Sequence, residues 1–304
     1  MSASTFHQSD NAEVYRTNTS FVSYVDLVIE RARILTDNHS LLVKVFSDEN
    51  TKAVLTLLDP QPGEVILDVG CGSGEITAKI HSIVSQPGPN GKTGKVIGVD
   101  KSEDMIKAAS KGNSSETLEY FFCDGHELQP WLVKTGKQGT FDKVFSNAAL
   151  HWMSRDPAAV VHGMFDALKP GGTMAVEFGG HMNAIGVVSG LHSILAKKGV
   201  DAKSVHPWYF PTPKQYSIIL QNAGFQSPDT AYLFPRPTPL PKGSGIKGWL
   251  KTFSGHFLNA LPTEQDRIDA LQELEDMLKV DMYDEQEDEW TLMYVRLRIR
   301  AKKP

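Results

Sequence analysis

The feature that most constrains this chain is the run Val65-Ile-Leu-Asp-Val-Gly-Cys-Gly-Ser-Gly74. An apolar, β-branched stretch passes into glycines at alternate positions, and a helical pattern opens at Glu75. Glycine permits positive φ and close approach of backbone to a ligand. The first turn of a helix presents unpaired N–H donors. The run therefore predicts a buried strand, a tight turn and a helix, with a ligand seated over the turn. Four more segments read as buried strands: Val96–Val99, Leu118–Cys123, Phe141–Ser146 and Thr173–Phe178. Each is short, rich in β-branched or aromatic residues, and bounded by Gly, Pro, Asn or Asp. Helical patterns cover Glu75–Val84, Ser102–Ala109 and Pro157–Leu168. Ser102, followed by Glu103 and Asp104, makes a helix start. Lys169-Pro-Gly-Gly172 reads as a helix stop and a turn into the next strand. Strand alternating with helix predicts an α/β fold with a mostly parallel sheet covered on both faces. In such sheets ligands bind beyond the carboxyl ends of the strands, at the point where strand order reverses.

The last third follows a different pattern. Gln215–Ala223 reads as a helix stopped by Gly224, and strands are expected at Thr230–Phe234 and Thr291–Ile299. The stretch from Pro235 to Trp290 far exceeds the ~4–6 residues of an ordinary connection. Ile268, Leu271, Leu274 and Leu278 recur within it at helical spacing, and Gly248–Phe253 is a second apolar-periodic piece. An inserted helical cap over 235–290 is therefore expected. The segment 1–60 also reads as helical. The core is expected over 61–234 and 291–304, with both additions forming a lid. Asp284–Glu289 reads as a solvated acidic turn.

Composition narrows the ligand. The net charge of −5, from 31 basic and 36 acidic residues, excludes a basic nucleic-acid binder. Two cysteines, Cys71 and Cys123, are too few for a disulfide framework or a Cys-rich zinc site. No apolar run approaches the ~20 residues that span a bilayer. The first ten residues have neither the basic nor the apolar region of a secretory leader. The expectation is a cytoplasmic monomer or homodimer with no metal, nucleic-acid or membrane partner. A dinucleotide fingerprint needs glycine at 70, 72 and 75, but position 75 is Glu. Gly91-Lys92-Thr93 resembles a P-loop tail, yet Gln86 stands where its first glycine belongs and no strand leads in. The ligand left is S-adenosyl-L-methionine, which has no phosphate to cradle. Its amino-acid end and ribose can pack on a glycine turn that carries carboxylates.

On these residues the sequence resembles the class I S-adenosylmethionine-dependent methyltransferases, whose sheet is Rossmann-like with its last strand antiparallel. LDVGCGSG is close to their first motif, and further landmarks follow in order between Val65 and Phe178. The resemblance implies that Asp68, Gly70, Cys71, Gly72, Ser73 and Gly74 surround the amino-acid end of the cofactor, Cys71 through its backbone. It implies that Asp100, with Lys101 beside it, binds the ribose hydroxyls. Met105 packs on the adenine ring or in the core. Asp124 and Gly125 meet the adenine amino group, and Asn147 and Ala148 line the methyl donor. The motif Ser146-Asn-Ala-Ala-Leu-His-Trp152 resembles the small-molecule carboxyl methyltransferases of the trans-aconitate and juvenile-hormone-acid type. Trp249–Thr252 and the Arg-rich ending Arg296–Arg300 are similar to the trans-aconitate enzymes.

Acceptor residues are weighed one by one. His151 and Trp152 follow the fourth strand, where His151 is the candidate catalytic base or substrate contact. His181 follows the fifth strand and is a similar candidate. Tyr15, Tyr209, Trp249 and Phe253 are candidate substrate contacts, the last three also readable as cap core. Arg296, Arg298 and Arg300 alternate on one strand face. That pattern is normally solvated, with Arg296 the candidate for an anionic acceptor. The expected activity is carboxyl O-methylation of a small organic acid. The alternatives are hydroxyl or nitrogen methylation with His151 as base, and a non-catalytic cofactor-binding protein.

Overall fold

The computed structural model describes residues 48–304, so Tyr15 and most of the 1–60 segment lie outside the described residues. The described residues form two compact units. The first comprises Asp48–His181, Trp208–Phe234 and Val295–Pro304. It opens with α1 (Asp48–Leu58), β1 (Val65–Val69), α2 (Glu75–Val84), β2 (Lys95–Asp100) and α3 (Glu103–Asn113). It continues with β3 (Leu118–Phe122), α4 (Leu128–Thr135), β4 (Phe141–Asn147), α5 (Pro157–Ala167) and β5 (Leu168–Gly179). Then come α7 (Pro213–Asn222), the start of β6 (Thr230–Pro239) and the end of β8 (Glu289–Lys302). The α6 helix belongs to the other unit.

Strand periodicity sets the layers. Successive side chains of a strand point to opposite faces. Leu67 and Val69 of β1 pack with Leu128, Val160, Met164 and Leu220, from α4, α5 and α7. Ile66 packs with Val54, Ile80 and Ala109, from α1, α2 and α3. The strand order is β3-β2-β1-β4-β5-β8-β6. The first five strands pair in parallel, and β8 runs antiparallel to β5 from Thr173↔Lys302 to Gly179↔Arg296. The order reverses between β1 and β4. That reversal brings Gly70–Gly74 and Asn147–Trp152 to the same end of adjacent strands.

Two sequence expectations change. The segment Lys169–Gly172 is not a turn ahead of β5 but a bulge inside it. Phe141 pairs with Leu168 and Lys143 with Thr173, so these four residues stand opposite Asp142 alone. Gly171, at φ 78°, makes the bulge possible. The arginine face of β8 is not solvated either, because Arg296 and Arg298 are buried. The Arg298 Nε–H donates to the Glu177 carboxylate at 2.5 Å, and its guanidinium lies 4.3 Å from the centre of the Phe234 ring. The helices α4 and α6 had no counterpart in the sequence expectations.

The second unit, among the described residues, takes in Met182–Pro207 and Pro235–Tyr294. It holds α6 (Ile185–Lys197), α8 (Gly245–Phe253), α9 (Gly255–Leu258), α10 (Glu264–Met282) and β7 (Tyr283–Asp284). The helices α6 and α10 meet through glycines. A Cβ on Gly186 would come within 2.9 Å of Met282, and one on Gly190 within 2.9 Å of Leu274. Leu274 and Leu278 are buried as the helical spacing requires, whereas Ile268 is exposed. Among the described residues no helix is long and apolar enough to cross a membrane.

Removing one partner of a buried ion pair leaves an uncompensated charge. Arg298→Ala is expected to cost about 3 kcal/mol in urea unfolding. The double variant Arg298→Met, Glu177→Gln should recover most of that loss.

Candidate active site

The glycine turn is built from positive-φ backbone. Gly70, Gly72 and Gly74 lie at φ 77°, 57° and 88°. Gly70 and Cys71 donate their N–H groups to the Val99 carbonyl, at 2.8 and 3.1 Å, which folds the turn back onto β2. The three glycines meet different surroundings. A Cβ on Gly70 would lie 2.2 Å from the Ala149 Cβ, and one on Gly74 would lie 2.7 Å from the Tyr120 hydroxyl. A Cβ on Gly72 would meet nothing within 4 Å. The middle of the turn therefore faces open space, while its two shoulders are packed.

Carboxylates frame that opening. Asp68 is buried in β1 and accepts the Thr77 hydroxyl at 2.7 Å. Burial pushes its pKa up to about 7, with the charge of Asp100 adding and the Thr77 hydrogen bond opposing. Asp100 ends β2. One oxygen accepts the Gly72 N–H at 3.0 Å and the other accepts the Ser102 N–H at 2.9 Å. Burial also raises its pKa, against those backbone hydrogen bonds. The Ser73 hydroxyl donates to Glu75 at 2.7 Å. Cys71 turns its sulfur over Gly98, where a Cβ would sit 2.9 Å from Sγ. Burial and the charges of Asp100 and Asp68 raise the Cys71 thiol well above its ordinary pKa. Lys101 is exposed. Met105, on α3, is buried, and its N–H is capped by Ser102.

Asp124 follows β3 and starts a 3₁₀ turn by accepting the His126 N–H at 3.0 Å. Gly125 is buried against Met153, whose Sδ would lie 2.6 Å from an added Cβ. Asn147 ends β4, and Ala148 takes a positive φ of 55° while donating its N–H to the Glu177 carbonyl at 2.7 Å.

His151 is buried, and its Nδ1 accepts the Gly179 N–H at 3.3 Å. A nitrogen that accepts carries no proton, so the proton of the neutral ring sits on Nε2. Burial, then the charge of Arg296, holds its pKa well below the ordinary value. An aromatic wall surrounds the ring. Trp152 lies 5.5 Å away and Phe210 5.9 Å away, with Trp208 edge-on to Trp152 at 5.6 Å. The Tyr209 N–H donates to the His151 carbonyl at 2.8 Å, which ties this wall to the end of β4. Tyr209 thus belongs to the sheet unit rather than the cap. Trp208 and Phe210 were not singled out in the sequence; their signal was the Pro207-Trp-Tyr-Phe-Pro211 run.

The remaining candidates fall elsewhere. His181 is exposed and donates its N–H to Pro211 at 2.9 Å. Trp249 and Phe253 belong to the second unit, with ring centres 5.1 Å apart. The Trp249 indole donates to the Tyr294 hydroxyl at 2.6 Å. Among the described residues no three His, Cys, Asp or Glu side chains gather as a metal site.

A family model described as a methyltransferase domain matches residues 60–197. An uncharacterized methyltransferase of Schizosaccharomyces pombe is 32% identical over 85% of this chain and 94% of its own length. The chain belongs to the class I S-adenosylmethionine-dependent methyltransferases. A trans-aconitate 2-methyltransferase of Deinococcus radiodurans is 31% identical, over 40% of each chain. The solved structure of a Bacillus halodurans protein assigned as a methyltransferase superposes at a TM-score of 0.56 with 18% identity. It covers 84% of this chain and 99% of that one. The cofactor of this methyltransferase is S-adenosyl-L-methionine, and the donor set fits it. Two acids, Asp68 buried and Asp100 half-buried, both with raised pKa values, favour a cation beside them, and the cofactor carries an ammonium and a sulfonium. Among the described residues no lysine or arginine hydrogen-bonds the turn in the way a phosphate site requires.

Two outcomes are expected from the turn. Gly72→Ala should fold, losing about 1 kcal/mol to its positive φ. Its dissociation constant for the cofactor should rise at least tenfold in calorimetric titration, whereas Gly70→Ala should unfold the turn itself. The second concerns pH. Asp68 is raised from an unfolded value near 3.9 to about 7. Its contribution to ligand-free stability is present below about pH 4 and lost as pH rises through 7. Asp68→Asn should therefore raise the melting temperature at pH 8, by an amount on the order of 2–4 kcal/mol in stability. At pH 4 it should change little.

Proposed function

We propose that this methyltransferase transfers the methyl group to the carboxylate of a small organic acid. The observation that carries the reading is the state of His151. Its Nδ1 lone pair is committed to the Gly179 N–H, and its pKa is depressed. Such a ring donates a hydrogen bond from Nε2 and holds no lone pair free to take a proton. A carboxylate acceptor needs no base, because it is already ionised at neutral pH. A hydroxyl or an ammonium acceptor must lose a proton, and the His151 environment disfavours that role. Arg296, buried and close enough to lower the His151 pKa, supplies positive charge near the ring. Similarity to a trans-aconitate 2-methyltransferase supports an organic acid.

When bound, the cofactor supplies an electrophilic methyl group on a sulfonium. The protein's part is to align and to keep water out, which is catalysis by proximity and exclusion. In this reading Asp68 and the backbone of Gly70–Gly74 hold the amino-acid end, and Asp100 holds the ribose. Lys101 stays in solvent. Met105, Asp124 and Gly125 surround adenine, and Asn147 and Ala148 line the methyl side. His151 Nε2–H and Arg296 orient the acceptor carboxylate against Trp152, Trp208 and Phe210. Tyr209 acts through its backbone. His181, Trp249 and Phe253 remain candidates for acceptor selection. The protein works in the cytoplasm.

The test is product chemistry with a panel of organic acids, phenols and amines. Alkali-labile methyl esters are expected, with a rate nearly flat between about pH 6 and 8. His151→Asn, which keeps both an acceptor for Gly179 and a donor, should stay within about tenfold of the parent rate. His151→Phe should fall roughly 100-fold, the scale of one lost transition-state donor. An ether or methylamine product would overturn the reading.

A further inference from the structure

His126 is absent from every role assigned above, yet its surroundings are specific. It lies in the turn Gly125–Glu127, directly after β3. Its Nδ1 is 2.7 Å from Oδ1 of Asp124, and its backbone N–H reaches the same oxygen at 3.0 Å. A carboxylate oxygen only accepts, so Nδ1 carries the proton in this contact. Nε2 is buried and has no hydrogen-bond partner among the described residues. The side chain is only 9% exposed.

The consequence falls on Asp124. One of its oxygens is filled by two donors from a single residue. The other, among the described residues, faces only the exposed Arg155 guanidinium, at 3.5 Å. That distance is beyond a good charge-assisted bond, which lies near 2.7–2.9 Å. Oδ2 is therefore the oxygen left to accept from a ligand. Desolvation works against the charge on Asp124, but the His126 hydrogen bonds and the Arg155 charge prevail and keep its pKa below the ordinary value. Asp124 is thus a pure acceptor at working pH.

We propose that His126 is a positioning residue that makes the site selective for a base bearing an exocyclic amino group, by committing one Asp124 oxygen and presenting the other. An amino group donates to that oxygen. An oxo group at the same place sets a lone pair against the carboxylate, and the site rejects it. The proposal rests on reading Asp124 as the acceptor for adenine.

The experiment compares S-adenosylhomocysteine with S-inosylhomocysteine, which replaces the amino group by an oxo group, in calorimetric titrations. The parent protein should favour the adenosyl ligand by roughly 10- to 100-fold, the range of a hydrogen bond to a charged group. His126→Phe should reduce that preference to below about fivefold, mainly by weakening the adenosyl ligand. His126→Asn places an amide N–H near the Nδ1 position and should keep most of the preference. His126→Leu repeats the test with a smaller side chain should Phe disturb the fold, which thermal unfolding reports. A preference unchanged in His126→Phe and His126→Leu, or an equal loss for both ligands, overturns the proposal. Asp124→Asn separates the two levels. If it leaves the preference intact, Asp124 does not face the base and the underlying reading fails. If it abolishes the preference while His126→Phe does not, only the role of His126 fails.

Discussion

The Asp100 carboxylate ties together the two backbone segments that frame the ligand opening. One oxygen takes the N–H of Gly72 and the other that of Ser102. The first bond fixes the middle of the turn after β1, and the second fixes the start of α3. Because β1 and β2 run parallel and in register, their carboxyl ends lie side by side. A short side chain can then span them. The raised pKa of Asp100 reflects burial outweighing those two donors. The turn is thus held in shape before any ligand arrives, and the same oxygens that hold it carry the negative potential that a cationic ligand meets. Rigidity and charge come from one group.

The other wall of the site is made in another way. It follows β4, and its shape depends on Ala148 in a left-handed conformation and on carbonyl and N–H bonds to β5 and to the 207–211 segment. Here a buried imidazole is fixed by a backbone N–H rather than by a carboxylate. A carboxylate partner would have raised its pKa and made it a base. A backbone donor leaves it neutral, with its remaining N–H on Nε2. The two walls differ in polarity: acids and backbone on the β1 and β2 side, aromatic rings and donors on the β4 side.

Much of this was legible in the sequence, for a physical reason. The β1 and α2 limits, Val65–Val69 and Glu75–Val84, follow from a buried strand and an amphipathic helix separated by glycine, and each signal is local. The Asp100 position was legible because strand ends and helix starts share the same punctuation. What stayed hidden depends on distant partners. Arg298 reads as solvated until Glu177, far away in sequence, is placed beside it. The His151 tautomer is set by the Gly179 N–H, which no spacing rule connects to it. His126 lacked a signal because its partner is only two residues away, in a turn whose geometry the sequence does not specify. Trp208 and Phe210 were visible as an aromatic run but had no address. The bulge at Lys169–Gly172 was mistaken for a turn because glycine and proline mark both.

Cys71 sits inside the ligand turn, and its thiol donates to the Gly72 carbonyl of that turn at 3.7 Å. Its sulfur is folded over Gly98, and burial with two neighbouring acids suppresses its thiolate. Cys123, on the adenine side, is likewise pushed up to about 12 by burial and the charges of Asp124 and Glu127. Thiolates are the form that oxidants and electrophiles attack. With both thiols held protonated, neither offers the thiolate that such reagents attack at neutral pH. A redox control of this methylation that works through cysteine therefore finds poor targets in Cys71 and Cys123.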